Sequence, residues 1–373
     1  MKILFDLTPI HDHLTGVERY NINITKEMIT NHMNDSYILL FKSEIHEEFV
    51  DLVQLPNVSF FVIPACNKLF FIQFRLLSVL NKIDADYYVF LSFTSPVLFN
   101  KKKIVNAIHD LTCWDCPDSI LWKMKLYYRF TYWVAIKKSW KIVTVSKFSQ
   151  SRICTKYKLS TNNVPIVYDG LTEIFRKEKV NNIDVREKYH LPSEYILSLS
   201  TIEPRKNLQL LINAYMKLVE SYKNLPDLVL AGRAGWKLDE IVNDNYSNAI
   251  YKKIHFTGFI EDNDLPSLYK NAELFVFPSK YEGFGLPLIE AMSQGTLVIS
   301  SDAASMPEVV QDAGILFKSN DKDDLIRALQ EGLNMSNEEK NKRIELGKTV
   351  SCSYSWKKEA EKLYILLVEG SNK

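Results

Sequence analysis

Both halves of this chain exchange short apolar runs with longer stretches of helical spacing, and that rhythm restricts the fold more than any other feature. Lys2–Thr8, Tyr37–Lys42, Val58–Ile63, Tyr87–Leu91, Ile104–Ile108, Ile142–Val145 and Val164–Val167 read as strands. Several are continuously apolar, which suits parallel strands covered on both faces. Helical patterns at Val17–Thr30, Leu69–Leu80 and Ser119–Lys138 lie between them. The alternation predicts a doubly wound α/β domain. It breaks in a polar stretch at 169–192 and then restarts. Tyr195–Leu199, Leu228–Ala231, Ile254–Phe256, Leu274–Phe277 and Leu297–Ile299 are the next strands. Helices should begin near Pro204, Asp264, Leu286 and Lys322, and a last one should cover Trp356–Val368.

A length of 373 residues exceeds what one core usually serves. We therefore expect an N-terminal domain over 1–175, a second over 193–353, and a C-terminal helix over 354–373 packing back towards the first. The crevice between two such domains is the expected ligand site, because α/β sheets bind at the carboxyl ends of their strands.

Lys+Arg total 46 against Asp+Glu 45, a net charge of +1. That balance excludes a globally basic nucleic-acid binder and an acidic solvating chain. No window is long and apolar enough to span a membrane, and the N-terminal residues lack a signal-peptide pattern. Five cysteines, an odd number, suit reduced thiols in the cytoplasm. Charge is uneven, however. Residues 66–158 hold 16 Lys/Arg against 5 Asp/Glu, or +11, including Lys101-Lys102-Lys103 and the aromatic, basic stretch 122–141. That stretch is either a solvated face backed by a core face or a peripheral contact with anionic lipid.

Four segments carry candidate chemistry. In FPSKYEGFGLPLIEAM (277–292) a strand ends, a glycine-containing turn follows, and a helix begins near Pro287. Gly283 and Gly285 let the backbone approach a ligand, and the helix N-terminus offers unpaired N–H groups to an anion. Glu282 and Glu290 flank this turn at E-x7-E spacing, too far apart for a glycosidase-like carboxylate pair. Each would serve a different part of one extended ligand, or else be a loop Glu and an exposed-face Glu beside Ser293 and Gln294.

In STIEPRKNL (200–208) Pro204 reads as the first helical position, placing Arg205 and Lys206 in the first turn. Cations there oppose the helix dipole unless an anion such as a diphosphate sits at that end. His109 follows a strand in IVNAIHDLT (104–112), and Gly16 lies in TGVERY (15–20), a glycine turn before a helix. Cys113-Trp-Asp-Cys116 lacks the further ligands a zinc site needs. Gly283-Phe-Gly285-Leu-Pro-Leu288 fails the dinucleotide fingerprint, and no P-loop is present.

Together these segments resemble the retaining glycosyltransferases of family 4, whose fold is GT-B. The matching pieces run in family order over nearly the whole chain: TGVERY (15–20), HDLT (109–112), VSKFS (145–149), IVYDGL (166–171), STIEPRKNL (200–208), LAGRAGW (230–236), 254–279, 282–309 and AGILF (313–317). The EPRKN variant is most similar to the mannosyl- and rhamnosyltransferase-like branch of bacterial O-antigen and capsule synthesis. The resemblance implies a nucleotide-diphosphate sugar as co-substrate and a glycan or lipid-linked acceptor. It implies that Glu290 bonds the ribose, that Glu282 lies near the sugar hydroxyls, and that the Phe284–Leu286 backbone helps hold phosphates and sugar. Arg205 and Lys206 would neutralise the leaving diphosphate, His109 would contact the sugar, and Gly16 would let its loop approach the phosphate.

Many relatives carry Gly-Arg where this chain has Ser200-Thr201, so Arg205 is expected to supply the missing charge. Positioned cations can stabilise a departing diphosphate without a metal, and Asp84-Ala-Asp86 sits at a strand start. No metal or other cofactor is therefore expected. A soluble-acceptor sugar synthase of the same fold and a non-catalytic nucleotide-sugar-binding subunit are the alternatives.

Overall fold

The computed structural model describes residues 1–11, 14–65, 70–176, 185–233 and 252–371. The chain divides into two compact units. One is Met1–Gly170 together with Ser355–Lys373, and the other is Leu171–Tyr354. The first break thus falls at Gly170, and Leu171–Phe175, assigned to the first domain by the sequence reading, belongs to the second unit. Part of the polar stretch that prompted the boundary, 177–184, lies outside the described residues, as do Cys66, Leu69 and the end of the LAGRAGW segment.

The first unit is built on six parallel strands, β1 (Lys2–Asp6), β2 (Ser36–Lys42), β3 (Val58–Ile63), β4 (Tyr87–Phe90), β5 (Ile104–Ala107) and β6 (Lys141–Val143), in the order β3-β2-β1-β4-β5-β6. All residues of β4 and β5 are buried, which is why their sequences, apart from the hydrogen-bonded Asn106, are apolar without alternation. The edge strand β3 buries Val58 and Ile63 and leaves Phe61 and Val62 exposed. Val164–Val167, expected as a seventh strand, makes only an isolated bridge between Thr144 and Ile166. Pro165 has no N–H to donate, so a full ladder cannot form there.

The helix Gly16–Asn31 begins with a capping box in which the Thr15 N–H donates to Glu18 at 2.6 Å. Gly16 is therefore the first helical residue rather than a turn glycine, and it is not among the residues of positive φ. The C-terminal helix Trp356–Ser371 packs on Gly16–Asn31 in this same unit. A stacked His32–Tyr364 pair and Tyr364 donating to Asp35 at 2.7 Å tie them together.

The second unit repeats the plan. Strands β7 (Tyr195–Leu199), β8 (Asp227–Ala231), β9 (Ile254–Gly258), β10 (Leu274–Phe277), β11 (Val298–Ser301) and β12 (Ile315–Phe317) are parallel in the order β12-β11-β10-β7-β8-β9. Counted from its own first strand, each sheet runs 3-2-1-4-5-6, so its topological switch point lies between strands one and four. Ile196, Leu230, Leu274, Val276 and Ile299 form a core with Leu211, Tyr215, Leu325 and Leu329 of the flanking helices.

Elements that escaped the sequence reading include the helices Lys147–Tyr157 and Met306–Val310, besides a strand and a longer helix. β12 has three residues, too few to show a period. The helix Asn337–Ser353 is mostly exposed, so its charged sequence carries no apolar stripe.

Candidate active site

In the second unit β7 and β10 are neighbours at the switch point, so the residues following each meet. After β7 the chain forms a 3-10 turn, Pro204–Lys206, and then Asn207 takes a left-handed conformation (φ 57°) before the helix Leu208–Val219 starts. Arg205 and Lys206 are therefore not in the first turn of that helix, as the sequence suggested. The left-handed residue ends the turn and redirects the chain.

After β10, Glu282 is buried. Its Oε1 accepts from Lys206 Nζ and from Ser279 Oγ, both at 2.6 Å, and its Oε2 accepts from Arg205 at 2.8 Å. Arg205 also donates to Tyr281 O at 2.6 Å and, through Nε and Nη2, to Glu203 at 3.1 and 2.8 Å. The main chain adds Lys280 N–H to Arg205 O at 2.9 Å. Arg205 thus braces the loop, its guanidinium enclosed by two carboxylates and a carbonyl. Lys206 is different: among the described residues, two of its three N–H bonds have no protein partner, and its ammonium lies 5.6 Å from the Phe277 ring centre.

The electrostatics follow from burial. Burial alone would raise the Glu282 carboxyl, but Arg205 and Lys206 outweigh it and hold the group down at about 2. Burial and Arg205 pull the Lys206 ammonium below the ordinary lysine range, with Glu282 opposing. The carboxylate has three donors on it, and the ammonium is the less satisfied of the two.

Gly283, Phe284 and Gly285 continue from Glu282 to the helix Leu286–Ser293. Gly285 caps it at φ 116°, in the left-handed half of the map where a side chain is strained. Ser305, which the sequence did not single out, sits with its Oγ 3.0 Å from Glu282 O and 2.6 Å from Phe284 O. Those carbonyls are thus engaged beneath the loop. Glu290 is buried on this helix and accepts from the Tyr269 hydroxyl at 2.9 Å, which disposes of the exposed-face alternative. Glu282 and Glu290 are held by different partners, the first by Lys206, Arg205 and Ser279 and the second by Tyr269.

The first unit carries the remaining candidates. His109 follows β5, and its Nε2 lies 2.7 Å from Leu91 O. A carbonyl can only accept, so Nε2 bears the proton, and in the neutral ring Nδ1 is left as an acceptor. Burial lowers the pKa of this imidazole, favouring that neutral form. Tyr20, one turn into the helix that Gly16 opens, meets His109 edge-on at 4.9 Å. Asp6, at the end of β1, was also missed. It is buried, accepts from Thr8 N and Oγ1, and its backbone carbonyl accepts from Asn21, which also donates to Ser92. A carboxylate closing an apolar strand was the available signal.

Cys113 is buried and its thiol is pushed up to about 12 by that burial, the behaviour of a packed side chain. Asp86 accepts the Lys2 N–H at 2.7 Å before β4, at the strands' amino end.

The comparisons with known proteins fit this geometry. Residues 181–349 match the family model "Glycosyl transferases group 1". The chain is 30% identical over 339 residues to the O-antigen chain mannosyltransferase B of Escherichia coli, covering 87% of this chain and 88% of that one. The chain belongs to the group 1 glycosyl transferases. Its fold is GT-B, as in solved glycosyltransferases. One, from Rickettsia africae, has a TM-score of 0.73 at 16% identity, covering 99% of this chain and 98% of that one. Another, Anabaena HepE in complex with UDP and glucose, has a TM-score of 0.71 at 17% identity, covering 99% and 100%.

Proposed function

We propose that this glycosyltransferase is a retaining, metal-independent enzyme of family 4. It would move mannose from a nucleotide-diphosphate sugar onto a growing surface polysaccharide carried by a lipid-linked acceptor. The similarity over nearly full length to an O-antigen mannosyltransferase supports the sugar and the polymer. The observation that carries the chemistry is the Lys206–Glu282–Arg205 cluster, in which an ammonium with unused donors is held in place by a carboxylate and a braced loop.

In this reading Lys206 and the N-terminal N–H groups of Leu286–Ser293 take the diphosphate, whose negative charge grows as the glycosidic bond breaks. Glu282 holds Lys206 and, through Arg205, the loop 281–285. Glu290 takes the ribose hydroxyls while Tyr269 fixes its carboxylate. His109, neutral and accepting at Nδ1, receives a hydrogen bond from a sugar hydroxyl. Retention follows from attack of the acceptor hydroxyl on the face the diphosphate leaves. A lipid-linked acceptor would place the enzyme on the inner face of the cytoplasmic membrane.

A donor panel tests this. Thermal shift and slow donor hydrolysis with GDP-mannose, dTDP-rhamnose, UDP-glucose, UDP-galactose, UDP-N-acetylglucosamine and GDP-fucose, each with and without EDTA, should single out GDP-mannose with no effect of EDTA. A selective response to dTDP-rhamnose would replace the sugar and keep the mechanism. Loss of the response in EDTA would overturn metal independence. Binding without turnover, even with acceptor glycan, would favour a non-catalytic subunit.

A further inference from the structure

The helix Trp122–Lys138 turns Thr131, Val134 and Ala135 inward, yet its outer face is not polar. Trp122, Leu126, Phe130 and Trp133 recur at steps of four, four and three residues, one stripe of a helix, and each is more than half exposed. Phe70, Phe74 and Leu98 are exposed to the same degree, and hydrogen bonds connect their segments to the helix. The Gln73 side chain accepts the Val97 N–H at 2.9 Å and lies against the Tyr127 hydroxyl. Lys138 Nζ donates to Val97 O at 2.7 Å. Seven large apolar side chains in one region far exceed the scattered exposure normal for a soluble surface.

The charge around them is mostly positive, with the exposed Asp118 just before the helix as an exception. Arg75, Lys102, Lys123, Lys137 and Lys138 are exposed, and the sequence contains no Asp or Glu between 87 and 109 or between 119 and 168. A second copy of the chain would set this positive face against itself, which disfavours self-association. Tryptophans near both ends of the stripe, aliphatic and Phe side chains between them, and lysines at the margin match the interface of an anionic bilayer, where aromatic rings sit at headgroup depth. Among the described residues no helix is long and apolar enough to cross a membrane, so the contact is a surface one.

We propose that this face of the first unit docks on anionic lipid, with Trp122, Leu126, Phe130 and Trp133 entering the headgroup boundary and the surrounding cations meeting lipid phosphates. The proposal rests for its purpose on the reading of a lipid-linked acceptor, but its physical basis is independent of catalysis.

The test is sedimentation of the full chain with vesicles of phosphatidylcholine alone or mixed with phosphatidylglycerol, at low and high salt, beside L126E/F130E. Both substituted positions are exposed, so melting should be unchanged. The wild type should pellet with the anionic vesicles only, less at high salt, with a blue shift of tryptophan emission. The variant should bind at least about tenfold more weakly, while its transfer to a water-soluble acceptor glycan equals the wild type's. A wild type that stays in the supernatant with anionic vesicles at low salt overturns the proposal. So does a variant that pellets like the wild type, or a concentration-dependent dimer that the same substitutions abolish. Absence of transfer by the wild type to any acceptor would instead count against the proposed function, leaving the vesicle result intact.

Discussion

Lys206 Nζ and Glu282 Oε1 lie 2.6 Å apart although 76 residues separate them in the chain. The order of β7 and β10 in the sheet makes this contact, and Arg205 locks it from the other side. Each group therefore has a consequence that can be measured.

Lys206→Ala removes the cation with unused donors and should lower kcat by about 10²–10³-fold. Glu282 keeps Arg205 and Ser279, so the fold should survive. Sugar transfer and a thermal melt on the same preparation check this. A variant within a fewfold of wild-type activity would remove Lys206 from the diphosphate site.

Arg205→Met leaves Glu203 and Glu282 facing each other without their shared cation. Breaking a largely buried pair in this way should cost about 3 kcal/mol, so the melting temperature should fall along with activity. Urea unfolding separates this brace role from that of Lys206, whose loss should leave stability closer to the wild type.

The Glu282 carboxyl is held at about 2, below its ordinary value of 4.5. Its contribution to stability is present in full above 4.5 and is lost as pH falls from there through about 2, roughly 3 kcal/mol in all. Stability measured across that range should fall less steeply in Glu282→Gln than in the wild type.

Asp6 has the opposite sign. Burial pushes its carboxyl up to about 6 from 3.8. Its contribution is present below 3.8 and is lost as pH rises through about 6, so ionised Asp6 is a burden near neutrality. Asp6→Asn keeps an oxygen to accept from Thr8 and should raise the melting temperature more at about pH 7.5 than at about pH 4. An equal change at both would show that Asp6 does not titrate in this window.

Gly285→Ala would force a Cβ onto a residue at φ 116° and to within 3.1 Å of Leu288 Cδ1. It should cost about 1–3 kcal/mol and weaken donor binding more than Gly258→Ala, where open space surrounds a glycine at the milder φ of 70°. Thermal shift with the donor nucleotide distinguishes the two.

The sequence by itself determined the α/β class, eleven of the twelve ladder strands and the chemical identity of the candidate residues, because buried parallel strands must be apolar and capped by loops rich in Gly, Pro and charge. It could not supply the order of the strands, and that order decides the site. Periodicity records which face of an element is buried, not which element lies beside it. Only the tertiary structure brings β7 against β10, so only there do Arg205 and Lys206 become partners of Glu282 rather than cations at a helix start. Burial of Glu290 beside Tyr269, the load on Asp6 and the outward stripe of Trp122–Lys138 are decided in the same way. Each depends on neighbours distant in the chain, whose desolvation and hydrogen bonds no local pattern encodes.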